Sequence, residues 1–132
     1  MMEEFNIYDI LFVNKKEITS GSHVQGKKRP AIVIQNDDGN KYAPTLVVMD
    51  LTSKIKKTNQ PTHWIVKANK NNGLKCDSMI LGESIYTIDK RDVIAKWGSL
   101  DNEQDQIMAT KCFLSTHFGN KKIKVEVLEW VK

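Results

Sequence analysis

The sequence predicts a mainly β domain, a small barrel or sandwich completed by one C-terminal helix. Apolar runs of strand length recur along the chain, separated by turn-forming residues, and they do not alternate with helical patterns as βαβ units would. A single set of helix start, stripe and stop signals lies after residue 100. With 132 residues, 40% of them hydrophobic and 27% charged, the chain reads as one globular domain spanning residues 1–132. Internal repeats, low-complexity tracts and proline-rich linkers are absent from it.

The first strand is expected at residues 7–13, "IYDILFV", followed by a polar segment with Gly21 and Gly26. A second apolar run, residues 31–34, follows Pro30, and proline is tolerated where a strand begins. Lys27, Lys28 and Arg29 stand directly before that start. "NDDGNKYAP", residues 36–44, reads as a reversing loop with Asp38-Gly39 as its turn signal. Strands then follow at 45–52 ("TLVVMDLT") and 62–68 ("THWIVKA"), separated by the basic loop "SKIKKTNQP". The turn "NKNNG", residues 69–73, leads to the long run "MILGESIYTI" at 79–88 and a last strand "VIAKWGSL" at 93–100.

For the helix, Asp101 is the expected N-cap with Gln104 at the third position, and Asp101, Glu103 and Asp105 suit the positive end of the dipole. Ile107, Lys111, Leu114 and Phe118 share a face with Met108 and Cys112 close by, a stripe expected to pack on the core. Gly119 is the expected stop. Beyond it Ile123, Val125 and Val127 alternate with Lys124 and Glu126, which predicts a further strand.

A net charge of +4 leans toward an acidic partner. Cys76 and Cys112 lie far apart, without metal-ligand spacing, and read as reduced thiols in a cytoplasmic protein. His23, His63 and His117 are too scattered for a metal signature. The acidic start "MMEEFNIYDI" does not read as a signal peptide, and no apolar stretch approaches membrane-spanning length. GxSxG, P-loop and GxGxxG patterns are missing, which removes the commonest hydrolase, nucleotidase and dehydrogenase readings. What remains is a set of basic and hydroxyl residues at strand ends. Lys27, Lys28 and Arg29 precede the second strand, while Thr52, Ser53, Lys54, Lys56 and Lys57 follow or end the third. If these two strands are antiparallel neighbours, Arg29 and Thr52 lie at one end of the sheet and offer donors for a phosphodiester. A solvated basic edge that discourages aggregation would use the same residues.

The stretch "GSHVQGKKRPAIVIQNDDGNKYAPTLVVMDLTSKIKKTNQPTHWIV" resembles the MazF/PemK family of toxin endoribonucleases from type II toxin-antitoxin systems. The matching blocks are Asp9-Ile10, the R-P pair at Arg29 and Pro30 within "QGKKRPAIVIQND", "LTSKI", "PTH" at 61–63, "CDSMILGESIYTID" and the helix after "GSLD". They run in order from residue 7 to about 118, leaving residues 119–132 as an extension. The resemblance implies an SH3-like small β-barrel of the MazF/PemK/CcdB-like toxin fold with a C-terminal helix, here with an extra C-terminal strand. It implies a cytoplasmic homodimer that cleaves single-stranded RNA at short sequences without metal or cofactor. The implied partner is an antitoxin that lays an acidic segment across the RNA groove. DNA would be met only through that antitoxin, and a membrane not at all.

By the same resemblance Arg29 and Thr52 are active-site residues, and Gln25, Lys27, Lys28, Ser53, Lys54, Lys56, Lys75 and Asp77 are expected along the RNA. The sequence departs from the family's pattern at three places. Members carry an acidic residue shortly before the R-P block where this chain has "SHVQG", so His23, an imidazole titrating near neutrality, is the candidate general base; an exposed loop histidine is the competing reading. Tyr86 replaces the family's arginine in "ESIYTI", either to stack on a base or to sit buried in the barrel, and Tyr8 precedes Asp9 where a glycine is usual. Two further readings stay open: a non-catalytic SH3-like module that grips nucleic acid or an acidic peptide, and a gyrase-poisoning relative on the same fold.

Overall fold

The computed structural model describes residues 3–18, 24–56, 60 and 62–119, with side chains at all of these except 17, 18 and 24–26. Six antiparallel strands form one sheet: β1 (Asp9–Ile18), β2 (Val24–Val33), β3 (Thr45–Thr52), β4 (His63–Val66), β5 (Ser78–Asp89) and β6 (Val93–Ser99). Among the described residues two α-helices accompany them, α1 (Asp37–Tyr42) and α2 (Glu103–Phe118), with a single 3-10 turn at Lys90–Asp92. The order across the sheet is β4-β5-β3-β2-β1-β6. The expected mainly β class with a C-terminal helix is therefore present. Among the described residues hydrogen bonding leaves β4 and β6 as edges, so no strand ladder of these residues closes the barrel. Instead the turn after β4 reaches the far edge, where the Ser99 N–H donates to the Asn71 carbonyl at 3.1 Å.

That turn is built by one buried amide. Asn72 donates to the Lys67 carbonyl at 2.9 Å, and its carbonyl oxygen accepts from the N–H groups of Asn69 and Leu74. Gly73 has φ +72°, a conformation side chains rarely adopt, and a Cβ there would fall 2.2 Å from the Trp97 carbonyl oxygen.

Alternation along each strand buries both faces of the sheet. Ile10, Ile32, Met49, Leu51 and Ile80 pack with Ala109 and Cys112 of α2, while Leu11, Val13, Val33, Leu46 and Val48 pack with Phe5 and Ile88 on the other face. Burying each of these Leu, Ile or Val side chains fully is worth about 1.5–3 kcal/mol.

Four expectations are corrected. First, the cations of residues 27–29 stand inside β2 and not before it. The β1–β2 ladder continues from Ile10↔Ile32 to Ile18↔Val24, and β3 pairs with β2 only at residues 31–33. The polar half of each strand thus forms a two-stranded ribbon beyond the sheet. Among its described side chains Lys16, Lys27 and Lys28 are exposed, so this stretch shows no apolar alternation to read. The first strand likewise begins at Asp9 and runs to Ile18.

Second, "NDDGNKYAP" is mostly helix. The Asn36 side chain accepts from the Gly39 N–H at 2.8 Å, and Asp37 and Asp38 occupy the first turn with Lys41 in the last. Capping and dipole chemistry outweigh the Asp-Gly turn signal.

Third, the cap of α2 is Asn102 and not Asp101. Its side chain accepts from the Asp105 N–H at 2.8 Å, whereas Asp101 receives the side-chain amides of Asn69 and Asn71. Fourth, the stripe that packs is Ala109 and Cys112 with Phe113, while Ile107 and Phe118 are about half exposed at 55% and 51%. The helix approaches closely where β5 passes under it. A Cβ on Gly82 would lie 2.6 Å from the Cys112 carbonyl oxygen, and only a small residue lets the backbones meet. That approach selects the face carrying Ala109 and Cys112. The strand expected after Gly119 lies outside the described residues.

Candidate active site

Arg29 and Thr52 do come together. The β2–β3 ladder ends at Ala31↔Asp50, and continuing it two residues sets Arg29 against Thr52. Both residues line a cavity of about 280 Å³, together with Lys28, Ser53, Lys75, Cys76, Ser78 and Trp97 and the apolar Pro30, Leu51 and Leu74. The cavity thus opens at the end of the sheet where β2 leaves the ladder and β3 finishes.

Two local features prepare these residues. The Thr52 oxygen accepts from the Lys54 N–H at 3.1 Å, a short turn that fixes the hydroxyl and leaves its proton to donate. Arg29 stands 3.5 Å from Asp50, whose side chain is fully buried. At that distance the contact holds the guanidinium without consuming its donors in short hydrogen bonds.

Asp50 was not singled out in the sequence, where it reads as one polar interruption in an apolar strand. Its carboxylate collects Lys15 at 3.0 Å and the Ser84 hydroxyl at 2.7 Å on Oδ2, and the Tyr86 hydroxyl on Oδ1. Residues 81–84 of β5 stand opposite this single residue, because Met49 pairs with Ile85 and Leu51 with Ile80. The irregularity brings Ser84 and Tyr86 onto the carboxylate together. Tyr86 is thereby a part-buried tyrosine with its ring under Lys15, whose Nζ lies 4.4 Å from the ring centroid. Burial, and then the hydrogen bond to Asp50 with that carboxylate's charge, push the phenol well above its ordinary value.

The remaining expected residues divide. Lys28, Ser53 and Lys75 line the cavity. Lys27 lies on the ribbon, where it pairs in register with Lys15, and Lys54 and Lys56 are exposed beyond the end of β3, outside the cavity lining. Asp77 does not line the cavity; its carboxylate accepts the Ala68 N–H at 2.9 Å and ties β4 to the start of β5. Gln25 lies in β2, and its side chain is not described. His23, like Lys57, lies outside the described residues. Trp97 and Cys76 are cavity residues that sequence spacing gave no reason to select. Among the described residues no group of three or more His, Cys, Asp or Glu is placed to hold a metal ion.

The family's opening Asp9 is structural here. It is buried, accepts from the Asn6 N–H at 2.8 Å and pairs with Lys96 at 3.1 Å, anchoring the start of β1.

Residues 6–111 match the sequence profile of the PemK-like, MazF-like toxins of type II toxin-antitoxin systems. The chain belongs to the PemK/MazF toxin family. The toxin is 41% identical over 95 residues to the endoribonuclease EndoA of Bacillus subtilis (strain 168), covering 72% of this chain and 79% of that protein. It also shares its fold with solved PemK/MazF-type structures at low identity. An endoribonuclease solved with its cognate antitoxin from a mycobacterial species superposes with TM-score 0.67 at 12% identity, covering 89% of this toxin and 98% of that chain. MazF from Deinococcus radiodurans gives 0.64 at 18% identity over 86% and 96% of the two chains. No helix of the toxin, among the described residues, is long and apolar enough to cross a membrane.

Proposed function

We propose that this toxin is an endoribonuclease that cleaves single-stranded messenger RNA at short sequences and is neutralised by a cognate antitoxin. The observation that carries the reading is the convergence of Arg29 and Thr52 in one basic cavity on a chain of this family. Its 41% identity to a named endoribonuclease supports the same activity.

RNA brings its own nucleophile, the 2′-OH beside each phosphate, so the protein must align that oxygen in line and stabilise the charge that develops. Arg29 carries a permanent charge and a planar fork of donors, which suits the equatorial oxygens of a phosphorane-like transition state. Thr52 donates to the phosphate and fixes its position. As the 2′ oxygen attacks, the bond to the 5′ oxygen breaks, giving a 2′,3′-cyclic phosphate and a 5′-hydroxyl. His23 is the proposed base that takes the 2′-OH proton, and Arg29 also serves as proton donor to the leaving oxygen. Lys28, Ser53 and Lys75 border the phosphate, with Gln25, Lys27, Lys54, Lys56 and Asp77 along the outer course of the strand. The toxin works as a cytoplasmic homodimer, and an acidic antitoxin segment competes with RNA for this basic groove.

The test is cleavage of a mixed-sequence single-stranded RNA in EDTA by the purified protein, beside Arg29→Ala, Thr52→Ala and His23→Gln. Cutting at a recurring short sequence, lost by at least 100-fold in the first two variants, is the expected result. RNA that is bound in a salt-sensitive way but never cut would replace the enzyme by a binding module. An unchanged rate in His23→Gln would remove that residue as base.

A further inference from the structure

Trp97 lines the cavity but has no part in the chemistry above. In the β1–β6 ladder Ile10 pairs with Gly98 and Leu11 with Lys96, so Trp97 is the extra residue of a bulge and has no cross-strand partner. Bulges redirect side chains and concentrate beside active sites. Here the redirected indole joins Arg29 and Thr52 in the same cavity wall.

The ring is held firmly. Phe12 stacks on it with centroids 4.9 Å apart and planes 10° from parallel. Its backbone is wedged by the 69–73 turn: a Cβ on Gly73 would lie 2.2 Å from the Trp97 carbonyl oxygen, and one on Gly98 would lie 2.2 Å from that of Asn71. On the cavity side the neighbour is loose. Lys75 places its Nζ 5.8 Å from the ring centroid, near the outer limit of a cation–π contact, on a long side chain that a ligand can displace. An indole fixed from behind, part-buried and bordered by Lys28, Arg29 and Lys75 has the two components of single-strand binding, an aromatic surface and cations for the backbone. At about 280 Å³ the cavity falls just under the roughly 300–1,000 Å³ of small-molecule pockets, a size for one nucleotide unit.

We propose that Trp97 is a stacking platform for the nucleobase adjoining the phosphate held by Arg29 and Thr52. The proposal rests on the reading of those two residues as the phosphate site, and it adds a base-binding subsite to it. Stacking accepts any base face, so Trp97 supplies affinity and register for the strand more than sequence choice.

The experiment uses the full chain and two all-deoxy single-stranded oligonucleotides of equal length, one bearing mixed bases and one abasic throughout, since neither offers a 2′-OH for cleavage. Binding by anisotropy and tryptophan emission are recorded for wild type, Trp97→Phe and Trp97→Leu at low salt. Expected is quenching of wild-type emission by the base-bearing strand only, absent in Trp97→Phe. Trp97→Leu is expected to bind that strand about 5- to 150-fold more weakly, with Trp97→Phe nearer wild type and the abasic strand equal in all three. Quenching that persists in Trp97→Phe, or base-bearing and abasic strands bound alike by wild type, overturns the platform while leaving the phosphate site standing. Failure of both strands to bind wild type overturns the phosphate site and the platform with it.

Discussion

Replacing Asp50 by alanine tests the electrostatics of the site most directly. The carboxylate is fully buried, with Lys15 at 3.0 Å and Arg29 at 3.5 Å, their side chains 22% and 30% exposed. At an effective dielectric constant near 20, each attraction is about 5 kcal/mol before the cost of desolvation is subtracted. That cost is several kcal/mol per ion, so the pairs are worth far less as a net sum than as a gross one. Removing the carboxylate is different, because the desolvated cations and the hydroxyls of Ser84 and Tyr86 all stay behind without their acceptor. The expected loss for Asp50→Ala is therefore about 3–5 kcal/mol, a large share of the roughly 5–15 kcal/mol typical of a domain. Asp50→Asn keeps the shape and part of the hydrogen bonding but no charge, and should fall between alanine and wild type. The assay is urea unfolding, read as a lowered midpoint with an unchanged slope. The internal comparison is Lys16 with Asp92, 3.4 Å apart with side chains 57% and 16% exposed, where Asp92→Ala should cost no more than about 1 kcal/mol. If Asp50→Ala costs as little as Asp92→Ala, the carboxylate is not acting as a buried hub and the reasoning fails.

Further predictions follow from packing and titration. Gly82→Ala would put a methyl 2.6 Å from one backbone carbonyl and 2.8 Å from another, so about 1–3 kcal/mol of stability should be lost in the same unfolding assay. Tyr86 holds its proton more tightly folded than unfolded, so its contribution to stability is complete below the ordinary phenol value of about 10 and declines as pH rises above it. Tyr86→Phe should flatten that alkaline decline, measured as unfolding free energy between about pH 9 and 11. Burial, and then the nearby Glu83 charge, raise the Cys112 thiol to about 11 while Cys76 is exposed, so a thiol reagent at neutral pH should label Cys76 quickly and Cys112 only on unfolding. Equal labelling rates in the native protein would contradict the packing of α2.

How much of this was legible beforehand depends on the range over which each feature is decided. The period of apolar residues placed β3 at residues 45–52 and put β5 and β6 within a residue of their observed ends, because alternation is a local property of the strand. The antiparallel β2–β3 connection was enough to put Arg29 and Thr52 at one end of the sheet. Local signals failed where two of them competed, as at Asn36 and Asp38-Gly39, and where the stripe of α2 was chosen by a close backbone approach at Gly82.

The sequence alone therefore determined the class of fold, the order of its strands and the two residues proposed for the site, since these follow from short-range pattern and family resemblance. Only the tertiary structure decided what surrounds them. Lys15, Asp50 and Tyr86 come from three strands and meet through an irregular stretch of β5, and Trp97 enters the cavity at one of the two places where β6 carries a residue that β1 does not pair. Register errors of one residue reverse the face a side chain takes, and no local spacing records where a ladder will slip.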